Sequence, residues 1–225
     1  MGVVASAGPI VQWSWVSSER SMIVSLLVQH IELTVIAVAV GLVIAVPLGI
    51  FSWKMPAFRP PLVGLTGAIY VIPSVALLAL FAPVTGFFSI TTAEVALVGY
   101  TLLILLRNTV AGLDSVPADA QDAALGMGYT QFQQLMKVQL PLALPSILAG
   151  VRVATVTTIG LVTVTAFIGQ GGLGQLIIQG FSEDFNTPIF VGLVLSVLLA
   201  GAADALIVGI QRVSLPWLRR RRVAS

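Results

Sequence analysis

Apolar residues run through this chain in long blocks, and the few charged positions punctuate them. A helix rises about 1.5 Å per residue, so hydrocarbon about 30 Å thick takes roughly 20 residues to cross. Uncharged stretches of 21 residues (33–53), 34 (60–93), 30 (153–182) and 19 (185–203) approach or exceed that length. The 34-residue stretch contains Pro60, Pro61, Pro73, Pro83 and Gly86, which predict one span with a turn beyond it. Only 12 uncharged residues separate Glu94 from Arg107, so a helix over Ile90–Leu106 sets Glu94 near an interface. The pattern predicts five spans: His30–Trp53, Leu62–Leu80, Ile90–Leu106, Ser146–Ile168 and Pro188–Ile210.

Composition sharpens this picture. Charged residues are 9% of the chain, against roughly a quarter in soluble domains, and mean hydropathy is +1.03. Such a chain cannot coat a soluble core with charge, which excludes a water-soluble globular domain. Its hydrophobicity excludes disorder, and the absence of cysteine excludes a disulfide or thiolate-metal framework. Nine basic residues, Lys54, Arg59, Arg107, Lys137, Arg212 and Arg219 to Arg222, fall on one side of the predicted spans; Arg20 falls on the other and Arg152 within a span. The excess of positive charge belongs in the cytoplasm, so the expectation is a multi-pass protein of the bacterial cell membrane with its N-terminus outside and its C-terminus inside. Arg219 to Arg222 then read as an anchor to anionic lipid and not as a nucleic-acid site. No basic region precedes an apolar run at the N-terminus as in a cleavable signal, so it is read as mature protein. Trp13 and Trp15, with the apolar Met22–Val28, predict an interfacial helix. Three regions follow: an extracytoplasmic tail (1–29), a membrane domain (30–210) and a basic cytoplasmic tail (211–225).

Between Arg107 and Pro145 the chain turns polar, with Asp114, Asp119, Asp122, Lys137 and five glutamines, and this segment is expected in water on the cytoplasmic side. Pro117 suits a first helical position, Asp119 and Asp122 favour that helix's positive end, and Gly126 or Gly128 ends it. Thr130 and Gln133 have capping-box spacing for a second helix, which Pro141 is expected to stop before Pro145 opens the next span. A loop over 107–145 is long for a connector, and therefore a candidate docking surface.

The order Asp122-Ala123-Ala124, three residues, Gly128, nine residues, Val138, one residue, Leu140-Pro141 resembles the EAA-x3-G-x9-I-x-LP loop of ABC importer permeases, with Asp for Glu and Val for Ile. Ala45-Val46-Pro47-Leu48-Gly49-Ile50, Ile72-Pro73-Ser74-Val75-Ala76-Leu77 and Phe167-Ile168-Gly169-Gln170-Gly171-Gly172-Leu173-Gly174 extend the resemblance, over roughly residues 15 to 210, to permeases for glycine betaine, choline, carnitine and related osmoprotectants. The resemblance implies an all-α polytopic membrane protein of the type I, MetI-like importer fold, with five core transmembrane helices and a cytoplasmic coupling-helix loop. It implies that Asp122, Ala123, Ala124, Gly128, Leu140 and Pro141 couple the chain to an ABC ATP-binding subunit. An extracytoplasmic substrate-binding protein and a second permease subunit, identical or not, complete the implied assembly. No G-x-x-x-x-G-K-[ST] phosphate loop occurs, since the only lysines are Lys54 and Lys137, so ATP and Mg are expected on the partner subunit and no cofactor on this chain. A methionine or other amino-acid permease, and more distantly a secondary transporter or channel, are the alternatives.

Other constellations carry less. Gly169, Gly171 and Gly174 satisfy a dinucleotide fingerprint literally, but no strand precedes them and no acid follows at about 20 residues. With Gly172 they read as a gate or outer hinge. Arg152 and Asp204 fall at matching depth in the last two spans and form a candidate intramembrane ion pair. The single histidine, His30, reads as an interfacial polar residue, and neither a metal site nor a catalytic serine constellation stands out.

Overall fold

The computed structural model describes residues 11–214, and every regular element among them is helical. Residues 1–10 and the basic run Arg219–Arg222 lie outside the described residues. The elements are α1 (Trp13–Ser18), α2 (Arg20–Lys54), α3 (Arg59–Val71), α4 (Ser74–Thr85), α5 (Ile90–Asp114), α6 (Ala118–Gly126), α7 (Gln131–Gln134), α8 (Leu140–Val162), α9 (Gly174–Ser182) and α10 (Asn186–Ser214). Among the described residues, four helical stretches, 20–54, 90–114, 131–162 and 186–213, are long and apolar enough to cross a membrane.

The expected second span, Leu62–Leu80, is not one straight helix. Its place is taken by α3 and α4, of 13 and 12 residues, which meet at a bend of 100°. Each is about 20 Å long or less, too short to cross alone. Pro73 has no N–H and forces Ile72 into extended backbone (φ −62°, ψ 129°), which ends α3. The Tyr100 hydroxyl donates to the Ile72 carbonyl and fixes the break against α5.

Helix α5 is the hub, and small residues bring its neighbours close. A Cβ on Gly41 would lie 2.0 Å from the Thr101 hydroxyl oxygen, and one on Gly49 would lie 2.7 Å from the Thr109 methyl. These contacts advance together along both chains, so α2 and α5 are parallel. On another side of α5, Gly112 meets Ala143 and Ser146 while Asn108 meets Gly150, a reversed order that makes α8 antiparallel. Because α2 and α5 are parallel, the bent α3–α4 pair must carry the chain back across the bundle. Close packing of small residues is how apolar helices associate where lipid is as apolar as leucine. Leu33, Ala37, Ala93, Leu97 and Val162 form one buried cluster, and Ala45, Leu105, Leu106, Val110 and Ala154 another. Buried hydroxyls within the helices are satisfied locally: Thr34 donates to His30 O at 2.9 Å and Thr109 to Leu105 O at 2.8 Å.

Near the start of the chain, α1 has six residues and Met22–Val28 belong to α2 instead of a separate interfacial helix. Trp15 packs edge-on against Phe185 at 5.7 Å, and the Gln12 amide donates to Thr187 Oγ1 at 3.0 Å.

Candidate functional site

The polar loop is a built structure. Helix α5 continues past Leu106 to Asp114, whose carboxylate pairs with Arg59 at 2.8 Å. Pro117 stands at the N-cap of α6, one position earlier than expected, and Asp119 lies in the first turn. The end of α6 is closed by a Schellman arrangement: Tyr129 N donates to Ala124 O at 3.1 Å and Gly128 N to Leu125 O at 2.9 Å. Gly128 has φ +77°, a left-handed conformation that favours glycine at this position. Thr130 and Gln133 then form the expected capping box: Gln133 N donates to Thr130 Oγ1 at 3.3 Å, and Thr130 N to Gln133 Oε1 at 3.0 Å.

Pro141 does not stop the second loop helix, and Pro145 does not open a new one. From α7 the chain runs through a π-helical turn, Leu135–Gln139, directly into α8, with Pro141 in the first turn of α8 and Pro145 inside it. The wider turn lets the ladder pass a residue that lacks an N–H. The loop therefore stands on a rigid stem continuous with a membrane helix.

Glutamines bind α6 to that stem. Gln121 Nε2 donates to Val116 O at 3.2 Å; Gln134 Nε2 donates to Gln121 O at 3.4 Å; Gln139 Nε2 donates to Gln121 Oε1 at 3.2 Å. Ala124 is fully buried beneath the helix, while Asp122 and Ala123 are exposed. Leu125 (56% exposed), Met127 (64%) and Phe132 (66%) add an apolar surface beside the acids. Lys137 Nζ lies 5.4 Å from the centre of the Tyr129 ring. Of the six residues expected to couple, Asp122 and Ala123 face out, Ala124 is the buried seat, Gly128 makes the turn, and Leu140 and Pro141 lie half-buried in the stem.

At the opposite end of the bundle, the glycine-rich segment is a packed seam. Gly169 and Gly172 have φ of +72° and +48°. A Cβ on Gly172 would approach His30 Cβ to 2.7 Å, one on Gly171 would approach Ala166 N to 2.2 Å, and one on Gly174 would approach Thr163 O to 2.3 Å. His30 is buried within the protein: it is 0% exposed, its Nδ1 accepting from Leu173 N at 3.3 Å. That contact puts the ring proton on Nε2, which donates to Ile159 O at 3.0 Å. Gln29 Oε1 accepts from Gly172 N at 3.2 Å and Gln175 Nε2 at 3.3 Å. The seam thus ties α2 to α8 and α9. The glutamine anchor and the His30 cross-link were not evident as such from the sequence.

Three further ionisable side chains lie in the bundle. Arg152 and Asp204 meet side by side: Nη2 donates to Oδ2 at 2.8 Å and Nε donates to Oδ1. Glu94, in the second turn of α5, lines an apolar groove with Ile36, Val40, Ile69 and Phe81, and both its oxygens are buried with no hydrogen-bond partner among the described residues. Among the described residues no cluster of histidine, aspartate or glutamate suits a metal ion.

A bundle of helices long and apolar enough to cross a membrane, carrying a structured polar loop at one end, defines a multi-pass membrane protein. Residues 37–220 match the family described as the binding-protein-dependent transport system inner membrane component, and the chain belongs to it. It is a permease subunit of an ABC importer. It is 36% identical over 196 residues to the osmoprotectant import permease protein OsmW of Salmonella typhimurium (strain LT2), covering 85% of this chain and 91% of that protein. It is 38% identical over 154 residues to the glycine betaine/carnitine/choline transport system permease protein OpuCB of Bacillus subtilis (strain 168), covering 68% and 70%. Among solved structures, a chain of the inward-facing MetNI methionine ABC transporter superposes with a TM-score of 0.80 at 24% identity, over 88% of this chain and 98% of that one, which shows the fold.

Proposed function

We propose that this permease carries osmoprotectants of the glycine betaine, choline, carnitine or proline type into the cytoplasm. Relatives named for osmoprotectants, glycine betaine, carnitine and choline support the cargo, whereas the methionine transporter shares only the fold at 24% identity. The α6–α7 loop faces the cytoplasm, as the excess of Lys and Arg at that end favours. There Asp122, Ala123 and the apolar side chains beside them dock on an ABC ATP-binding subunit, which binds ATP and Mg and hydrolyses the nucleotide. A second permease subunit completes the channel. A substrate-binding protein delivers solute at the end where Gly169, Gly171, Gly172 and Gly174 gate the outer mouth. One observation carries the coupling role: the loop presents exposed Leu125, Met127 and Phe132 on a stem that continues as α8, so movement of a docked partner is transmitted to a membrane helix.

Uptake of labelled glycine betaine, choline and methionine in cells expressing the whole importer, each measured with the other two unlabelled as competitors, tests the cargo. Uptake of betaine or choline that methionine does not inhibit is expected; uptake of methionine alone would assign the chain to the amino-acid importers.

A further inference from the structure

We propose that the Arg152–Asp204 pair is a transit site for a zwitterionic solute, the guanidinium receiving its carboxylate and Asp204 its quaternary ammonium group. The inference rests on the osmoprotectant reading and narrows it to betaine-type solutes.

Both partners are half-exposed, Arg152 at 46% and Asp204 at 32% of their side-chain surface. They line a cavity of about 430 Å³ between α8 and α10, within the roughly 300–1,000 Å³ range of small-molecule sites. Asp204 lies eight residues before Arg212, about 12 Å of helix, and so inside the apolar stretch. Charges at such depth do not stand against lipid; they face a protein interior or water. Both side chains are partly open on the α8–α10 face of this chain, where a solute can reach them from an interior path.

The chemistry of the cavity fits one class of solute. Arg152 uses Nε and Nη2 on Asp204 and leaves Nη1 with no partner among the described residues, while the Asp204 oxygens keep unused lone pairs. A betaine carries the same two charges a short distance apart, so it exchanges with the pair: carboxylate onto the guanidinium fork, ammonium beside the carboxylate. The methyl groups of a quaternary ammonium donate no hydrogen bond and need apolar contact, which Ala149, Val153 and Val156 supply. Choline has the cation without the carboxylate; it engages Asp204 and leaves Arg152 unpaired, at a cost. The pair thus favours zwitterions over simple quaternary cations.

The test uses the whole importer, with uptake of labelled glycine betaine and choline corrected for permease abundance and for co-purification of the ATP-binding subunit. The neutral double variant Arg152→Gln/Asp204→Asn is expected to assemble and to lose betaine uptake about tenfold or more. Arg152→Gln alone is expected to lower betaine uptake far more than choline uptake. Wild-type betaine uptake by the double variant, or an equal fall for both solutes in Arg152→Gln, would overturn the site and leave a merely structural ion pair. Should the pair variants fail to insert, Ala149→Trp fills the cavity without removing either charge; it is expected to lose betaine uptake at normal abundance, and normal uptake would overturn the site. A wild-type importer that carries choline but no betaine refutes this inference alone. One that carries no osmoprotectant refutes the reading beneath it.

Discussion

His30 joins three elements through one ring, accepting from Leu173 N and donating to Ile159 O while its Cβ fills the space against Gly172. Replacing it with leucine leaves a buried carbonyl and a buried amide unpaired, each costing about 1–3 kcal/mol. His30→Leu is therefore expected to lower the thermal midpoint of the purified permease clearly, and Gly172→Ala to do the same through its clash with the unmoved histidine. An unchanged midpoint in both would show that the seam is not a structural tie. Glu94 has the opposite sign. Its carboxylate is buried with no partner among the described residues, so Glu94→Leu is expected to stabilise the chain by about 1–3 kcal/mol. A fall in the midpoint would reveal a partner for that carboxylate in the assembly. His30 gives little away in the sequence because its contact to Leu173 spans 143 positions, and a lone histidine carries no partner in its neighbourhood.

Among the elements, the loop was the most legible, since its signals are local. Asp119 in a first turn, Gly128 in the left-handed turn and the Thr130–Gln133 box each act within a few residues, and all three stand where their spacing predicts. The five apolar stretches were legible for the same reason. The 100° break was not, because it depends on Tyr100 reaching Ile72 from α5, although Pro73 marks the position. Nor was the passage of the chain through Pro141, which the π-helical turn before it permits. The glutamine anchor suggests an element-scale test. Gln121→Ala removes the side-chain oxygen that Gln139 holds, and is expected to raise amide hydrogen exchange across Ala118–Gly126 and to reduce uptake without altering membrane abundance. Unchanged exchange would mean that buried Ala124 alone seats the helix. Gly128→Trp forces a bulky side chain into a backbone with φ +77° beside the exposed face of α6 proposed to dock, and a bulky residue at Ala123 stands on that face itself. Both are expected to insert normally and to abolish uptake; normal uptake would remove the loop from the coupling path.

At the scale of the whole molecule, the few charges include two pairs and a buried carboxylate: Arg59 with Asp114 ties the start of α3 to the end of α5 beside the loop, Arg152 with Asp204 stands where α8 meets α10, and Glu94 lies in the bundle. Helix α8 joins these regions, rising from the loop, passing Arg152 and ending against the glycine seam that His30 clasps. In the function proposed above, this helix links cytoplasmic docking of the ATP-binding subunit to the solute path and the outer mouth, which is the mechanical requirement of an ATP-driven importer. The account stands on that connection. Its most direct test is the permease reconstituted in liposomes with its ATP-binding subunit and its binding protein, measuring ATP hydrolysis and accumulation of labelled glycine betaine together. The expected result is hydrolysis stimulated by betaine-loaded binding protein and accumulation against a gradient, both lost with Gly128→Trp. Betaine flux that follows its gradient without ATP or the ATP-binding subunit would contradict the account.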